Sequence, residues 1–271
     1  MADSRPVVFV TGASAGIGAA CIGTFARAGW NVVAAARRVE RLERLAKEAC
    51  AETPSVEVLP VACDVTDDDS VKAALEAIKA RFGGLDALIN NAGVGTYGCV
   101  ADTSLDEFRS NMETNYFGVF RCTQAALPLL RQAARSSKKR YGASIVMISS
   151  FCGRRSVPEF GAYGGSKYAL EGLSEALRLE LRDEGISVSV VNPGVVKTEF
   201  FGQARGTRPA AYVPPERGMT AKQVAKVVLR LTRRPRRNVY LTLECKAGVF
   251  MQWLAPRLFD YLIWRTWRKR R

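Results

Sequence analysis

The sequence predicts an α/β fold: a single doubly wound parallel sheet with helices on both faces, followed by a C-terminal amphipathic tail. Two observations point there. Short apolar runs alternate with longer stretches of helical period, and strands buried on both faces read as unbroken apolar runs. The first of these runs also ends in a glycine-rich turn that leads into a helix.

The elements follow in order. Strands are expected at 7–12 (VVFVTG), 31–37 (NVVAAAR), 56–65, 85–93, 143–150 and 186–194. Helices are expected near 16–28, 39–51, 67–82, 104–134 and 162–184. With no internal repeat and no break in composition, residues 1–247 read as one domain and 248–271 as a separate tail. Two stretches interrupt the pattern. Residues 131–142 are polar and basic, and 198–220, rich in glycine and proline, are too long for an ordinary connection.

At 271 residues and 48% hydrophobic composition the chain can fill a sizeable core. The formal charge is +14 and there is no histidine. Seven scattered cysteines without CxxC spacing argue against a metal site and for reduced thiols in a cytoplasmic protein. The N-terminus enters fold-like sequence too early for a secretory leader, and no apolar run approaches the length of a membrane span.

The first strand ends in TGASAGIG, with Gly12, Ser14, Gly16, Ile17 and Gly18. Glycines there let the backbone turn sharply and approach a ligand, while the following helix aims free N–H groups at a phosphate. The second strand ends in Ala36, Arg37 and Arg38 rather than the acidic residue that would hold an unphosphorylated ribose. A carboxylate repels a 2′-phosphate and an arginine fork holds one, so NADPH/NADP+ is expected, with Arg37 the better candidate and Arg38 beside it. The competing reading is that both arginines simply open a solvated helix.

In order along residues 6–245, TGASAGIG, CDVTD, NNAG (90–93), METNYFG, ISS, YGGSK (163–167) and NPGVVKT (192–198) together make the chain resemble the short-chain dehydrogenase/reductase family, in its compact Rossmann-type form. The resemblance implies an NAD(P)-dependent oxidoreductase acting on an alcohol or carbonyl. It places Asp64, with Val65, beside the adenine. It sets Asn91, Ala92 and Gly93 along the cofactor, and Pro193, Gly194, Val196 and Thr198 around the nicotinamide.

Residues four apart share a helix face, so Tyr163 and Lys167 should stand side by side. A free tyrosine has a pKa of about 10, and a neighbouring ammonium favours the phenolate. Tyr163 is therefore expected to exchange a proton with the substrate oxygen, and Lys167 to tune it and bind the nicotinamide ribose. Ser150, thirteen residues upstream of Tyr163, would polarise that oxygen. Asn115 would hold a water linking Lys167 to solvent. The spacing favours Ser150 over Ser149, although both carry hydroxyls.

Phe151 and Phe160 near the serine and tyrosine, and Phe200, Phe201 and Tyr212 in the long loop, suggest an apolar, lipid-like, steroid-like or retinoid-like carbonyl or alcohol. Packing of that loop on the body is the plain alternative. The tail carries Trp253, Trp264 and Trp267, apolar residues at helical spacing (Phe250, Leu254, Leu258, Leu262) and a terminal RKRR. It is read as an interfacial anchor over 249–271 on an anionic membrane, as a cover for its own domain, or as the interface of a homodimer or homotetramer. Nucleic acid is disfavoured because the remaining charge is dispersed. A non-catalytic cofactor sensor recruited through the tail is the alternative function.

Overall fold

The computed structural model describes residues 5–137, 140–206 and 218–270. Seven strands form one sheet: β1 (Val7–Thr11), β2 (Asn31–Ala36), β3 (Val58–Ala62), β4 (Ala87–Asn90), β5 (Ala143–Ile148), β6 (Ile186–Asn192) and β7 (Asn238–Tyr240). Their spatial order is β7-β6-β5-β4-β1-β2-β3, and every pairing is parallel. The helices are α1 (Gly16–Ala26), α2 (Val39–Glu52), α3 (Asp68–Phe82), α4 (Leu105–Met112), α5 (Gly118–Ser136), α6 (Gly161–Glu180), α7 (Ala221–Arg233), α8 (Leu243–Leu254) and α9 (Pro256–Arg268).

Alternate residues of β1 supply opposite faces of the sheet. Val7 and Phe9 join Val33, Leu88, Ile145 and Val188 in the core covered by α3, α5 and α6. Val8 and Val10 join Val32, Ile89 and Val146 in the core covered by α1, α2 and α7. Each fully buried Leu, Ile or Phe contributes roughly 1.5–3 kcal/mol, so two such layers hold the sheet from both sides.

The expected helix over 104–134 divides. After α4 a five-residue π turn, Glu113–Phe117, widens the backbone before α5 resumes. The extra residue per turn shifts the phase and delivers Asn115, fully buried, into the interior. Two elements go beyond the expected set, α7 and the edge strand β7. The helix buries Val224, Ala225, Val228 and Leu231, a clear 3.6-residue stripe, and the strand has only three half-buried residues. The expected boundary at 247/248 falls inside α8, and the segment breaks at Pro256, which starts α9 as its first residue.

Gly18 lies where α1 crosses the glycine turn. A β-carbon there would meet the carbonyl oxygen of Gly12 and stand 2.6 Å from Nδ2 of Asn91. Gly18→Ala is expected to lower the unfolding free energy by about 1–3 kcal/mol, read from urea denaturation.

Candidate active site

The chain leaves β3, recrosses the sheet and pairs β4 on the far side of β1, so connections depart in opposite directions from the carboxyl ends of β1 and β4. That divergence opens a crevice. A cavity of about 1100 Å³ lies there, and residues after β1, β2, β4, β5 and β6 line it.

One end is built from tight backbone. Gly12 has φ +64°, and a β-carbon on it would sit 2.7 Å from the Ala92 Cα. The N–H groups of Asn91 and Ala92 donate to the Thr11 hydroxyl at 3.0 and 3.1 Å, and the Asn91 amide donates to the Thr11 and Gly12 carbonyls at 2.9 and 3.1 Å. Ala15, the N-cap of α1, gives no side-chain hydrogen bond, so the first N–H groups of that helix stay available beside the cavity. Gly16, at φ +56°, faces the Thr198 side chain. Ile17, Pro193, Gly194 and Val196 also line the wall, whereas Gly18 serves packing instead. These features fit a dinucleotide: a cradle that side chains would fill, an open helix N-terminus and cationic groups next to it.

The two arginines after β2 separate. Arg38 reaches over the glycine turn, with Nε and Nη2 donating to the Ser14 hydroxyl at 3.3 and 3.2 Å. Arg37 is mostly exposed and turns to Asp64, with Nη1 3.8 Å from Oδ2. The sequence reading preferred Arg37, but Arg38 is the residue joined to the phosphate-type turn. Burial alone would raise the Asp64 pKa. Hydrogen bonds from the Thr66 N–H (3.0 Å) and hydroxyl (2.8 Å), with the Arg37 charge, outweigh it and hold the carboxyl below its usual range. Val65 lines the wall beside Asp64 and packs against Gly118.

At the other end Ser150, Tyr163 and Lys167 meet in the same wall. Ser150 follows β5, its oxygen accepting from the Cys152 N–H at 3.1 Å. Tyr163 and Lys167 share one face of α6, with the Lys167 Nζ 5.8 Å from the tyrosine ring centroid. Burial, and to a lesser degree the Cys152 charge, raises the Tyr163 pKa well above its ordinary 10, while a hydrogen bond with Ser150 pulls it back only in part. Burial, not the neighbouring ammonium, sets the direction for this phenol. The ammonium is turned to the Ile148 carbonyl, 2.9 Å away, and is itself destabilised, its pKa lowered by burial to about 8. Tyr163 is thus held as a phenol, the form that donates a proton.

Asn115 stands behind the wall rather than in it. Its Oδ1 accepts from the Val94 N–H at 2.8 Å, and its Nδ2 donates to the Val94 carbonyl and the Ser166 hydroxyl, both at 2.9 Å. A β-carbon on Gly93 would lie 3.0 Å from Asn115 Oδ1 and 3.7 Å from Lys167 Nζ, so amide and ammonium flank that glycine.

A carboxylate that the motifs do not announce lies one turn past the lysine. Glu171 is buried, 3% exposed, and pairs with Arg154 at 2.9 Å. It also bonds Ser149 and Asn192, and its negative charge opposes the burial cost on Lys167. With its amide turned the favourable way, Asn192 donates to the Ser150 carbonyl at 2.9 Å and to Glu171 at 2.6 Å. The two serines are thereby told apart: Ser149 faces this buried carboxylate and Ser150 faces the tyrosine.

The remaining wall mixes aromatic residues near Tyr163 with polar ones, among them Ser110, Glu113, Gln203, Arg205 and Arg270. The Phe200 ring lies 5.6 Å from that of Tyr163, and Phe160 packs edge-on against Tyr97 at 4.8 Å. Phe151 presses against Gly248 of α8. The Phe201 side chain and all of Tyr212 lie outside the described residues. Phe259, Ile263 and Trp267 of α9 also line the cavity, an inward face that the sequence did not single out within the tail. The expected tail stripe, Phe250, Leu254, Leu258 and Leu262, is 43–59% exposed. The inward stripe runs one residue later at the same four-residue spacing.

Comparisons with known proteins agree with this geometry. The family model for short chain dehydrogenase matches residues 6–209. The chain is 34% identical to mouse dehydrogenase/reductase SDR family member 7B, over 98% of this chain and 82% of that one. Among solved structures it is similar to an alcohol dehydrogenase from Thermococcus sibiricus complexed with 5-hydroxy-NADP (29% identity, TM-score 0.76, covering 88% of this chain and 96% of that one). It is also similar to a 3-ketoacyl-(acyl-carrier-protein) reductase from Brucella melitensis complexed with NADH (25% identity, TM-score 0.76, covering 87% and 96%).

The depressed lysine has a signed consequence. Between about 8 and 10.5 the unfolded chain holds the Lys167 proton and the folded chain has released it, so this group adds stability as pH rises across that window. In NMR titration of isotope-labelled lysine side chains, the resonance lost in Lys167→Met should titrate near pH 8. Removing the carboxylate charge in Glu171→Gln should move that midpoint lower.

Proposed function

The chain belongs to the short-chain dehydrogenase/reductase family, and on that premise we propose that it is an NADPH-dependent reductase of apolar ketones or aldehydes, reversibly oxidising the corresponding alcohols. The observation that carries the reading is one cavity with two chemically distinct ends. Arg38 and Ser14 stand by an open helix N-terminus at one end, and Ser150, Tyr163 and Lys167 face an aromatic wall at the other.

When bound, the dinucleotide supplies the hydride to the carbonyl carbon. Gly12, Gly16 and Gly93 would give it room, and the first N–H groups of α1 would hold its phosphates. Arg38 carries the preference for a 2′-phosphate through charge-assisted hydrogen bonds, and Arg37 adds charge beside the adenine position of Asp64. Ser150 orients the substrate oxygen, and the Tyr163 phenol donates its proton to that oxygen as negative charge develops there. The phenolate left behind is stabilised by the ammonium of Lys167 and regains a proton by way of it. The lone pair remaining on Asn115 Oδ1 suits a water that connects this lysine to solvent. In the oxidative direction the same groups act in reverse. Phe151, Phe160 and Phe200, with the α9 face, favour a hydrophobic substrate body, because desolvating such walls is favourable only for an apolar ligand.

A panel of ketones and aldehydes graded by chain length and ring content, followed by NADPH oxidation, tests activity and substrate class together. Turnover should rise with apolar bulk, and no turnover on any member would reject the reading. Tyr163→Phe should lower kcat by about 10²–10⁴ with an unchanged circular dichroism spectrum. Loss of one charge-assisted contact is worth about 1.5–3 kcal/mol, so Arg38→Ala should raise KM for NADPH by roughly 10- to 100-fold and leave KM for NADH nearly unchanged.

A further inference from the structure

Helix α9 has two faces with different jobs. Phe259, Ile263 and Trp267, four residues apart, are its least exposed residues and line the cavity. On the opposite side Leu258, Tyr261 and Trp264 are 45–52% exposed, and Phe250, Trp253 and Leu254 of the preceding α8 are 56–78% exposed. A large apolar face left open marks an interaction site.

The face is held in place. Arg155, from the segment between Ser150 and Tyr163, pairs with Asp260 at 2.6 Å, donates to Gln252 Oε1 at 2.8 Å and lies 5.1 Å from the Phe259 ring centroid. One guanidinium thus joins α8, α9 and the body, and fixes which side of α9 looks outward.

Charge selects the occupant. Residues 249–271 hold six arginines and lysines and one acid, Asp260, which is already paired with Arg155. Arg257, Arg265 and Arg268 are exposed among the outward apolar residues. A second copy docked through the same face would bring like charges together across the two-fold axis, whereas an anionic surface would be attracted. Tryptophan and tyrosine with arginine at their flanks suit the boundary between headgroups and acyl chains. Among the described residues no helix is long and apolar enough to cross a membrane, so the geometry is that of a helix lying in the surface.

We propose that the outer face of α8 and α9 docks on anionic lipid bilayers, with α9 lying in the interface while its inner face remains a wall of the cavity. The docking itself needs neither cofactor nor turnover, so its failure is separable from failure of the reductase reading.

The test is flotation of the intact protein with vesicles of phosphatidylcholine alone or mixed with phosphatidylserine, at low and high salt. Binding should be at least about tenfold greater with phosphatidylserine and should fall with salt. The triple variant Leu258→Gln, Tyr261→Gln, Trp264→Gln should stay in solution with an unchanged unfolding midpoint. Brominated lipids should quench Trp253 and Trp264 in the unmodified protein, which covers the case of a variant that fails to fold. Equal binding to both vesicle types, absence of quenching, or a dimer in sedimentation that the triple variant dissociates would each overturn the proposal. The last outcome would assign the face to a second copy.

Discussion

The reversal of chain direction across β1 is the constraint on which the rest depends. Crossovers between parallel strands are right-handed, so a chain that winds β1, β2, β3 outward on one side and resumes at β4 on the other covers both sheet faces. It also leaves one place, above the carboxyl ends of β1 and β4, where no connection crosses. The Asn91 amide and the Thr11 hydroxyl stitch those two ends together. Glycine is required at position 12 because the backbone of Ala92 passes too close for any side chain. Site and scaffold are therefore one feature: the hydrogen bonds that align the strands also shape the cradle.

Burial sets the chemistry at the other end of the crevice. Sequence spacing brings a tyrosine and a lysine together, and in water the cation would favour the phenolate. Inside this wall desolvation acts on both groups, raising the phenol and lowering the ammonium. The fold answers with a second buried charge. Glu171, paired to Arg154, favours the protonated lysine and also fixes Ser149 and Asn192 beneath Ser150. Burial raises the Glu171 carboxyl above its ordinary range, and the Arg154 charge with the bonds from Ser149 and Asn192 offsets that rise in part. Of this network only Ser149 reaches the cavity wall, and Glu171, Arg154 and Asn192 stand behind it.

The end of the chain joins both themes. Arg155 ties α8 and α9 to the segment between the serine and the tyrosine, and one helix then serves as cavity wall and as external surface. Phe259, Ile263 and Trp267 of that helix contribute to the cavity wall.

Local signals were enough for much of this. Short apolar runs located six of the strands, most plainly β1, β2, β4 and β5, which are buried throughout. The glycine turn and the Tyr163–Lys167 spacing located both ends of the site, since backbone approach and a shared helix face are properties of neighbouring residues. Tertiary structure alone decided what depends on distant partners. It set Arg38 beside Ser14 and Arg37 beside Asp64, buried Glu171 against Ser149, and turned Asn115 inward through a π turn, where it bonds Val94 and Ser166. It also chose which of two apolar stripes on the last helix faces the protein. Both stripes repeat every four residues, and periodicity cannot say which one meets a wall that is built from elements a hundred residues away.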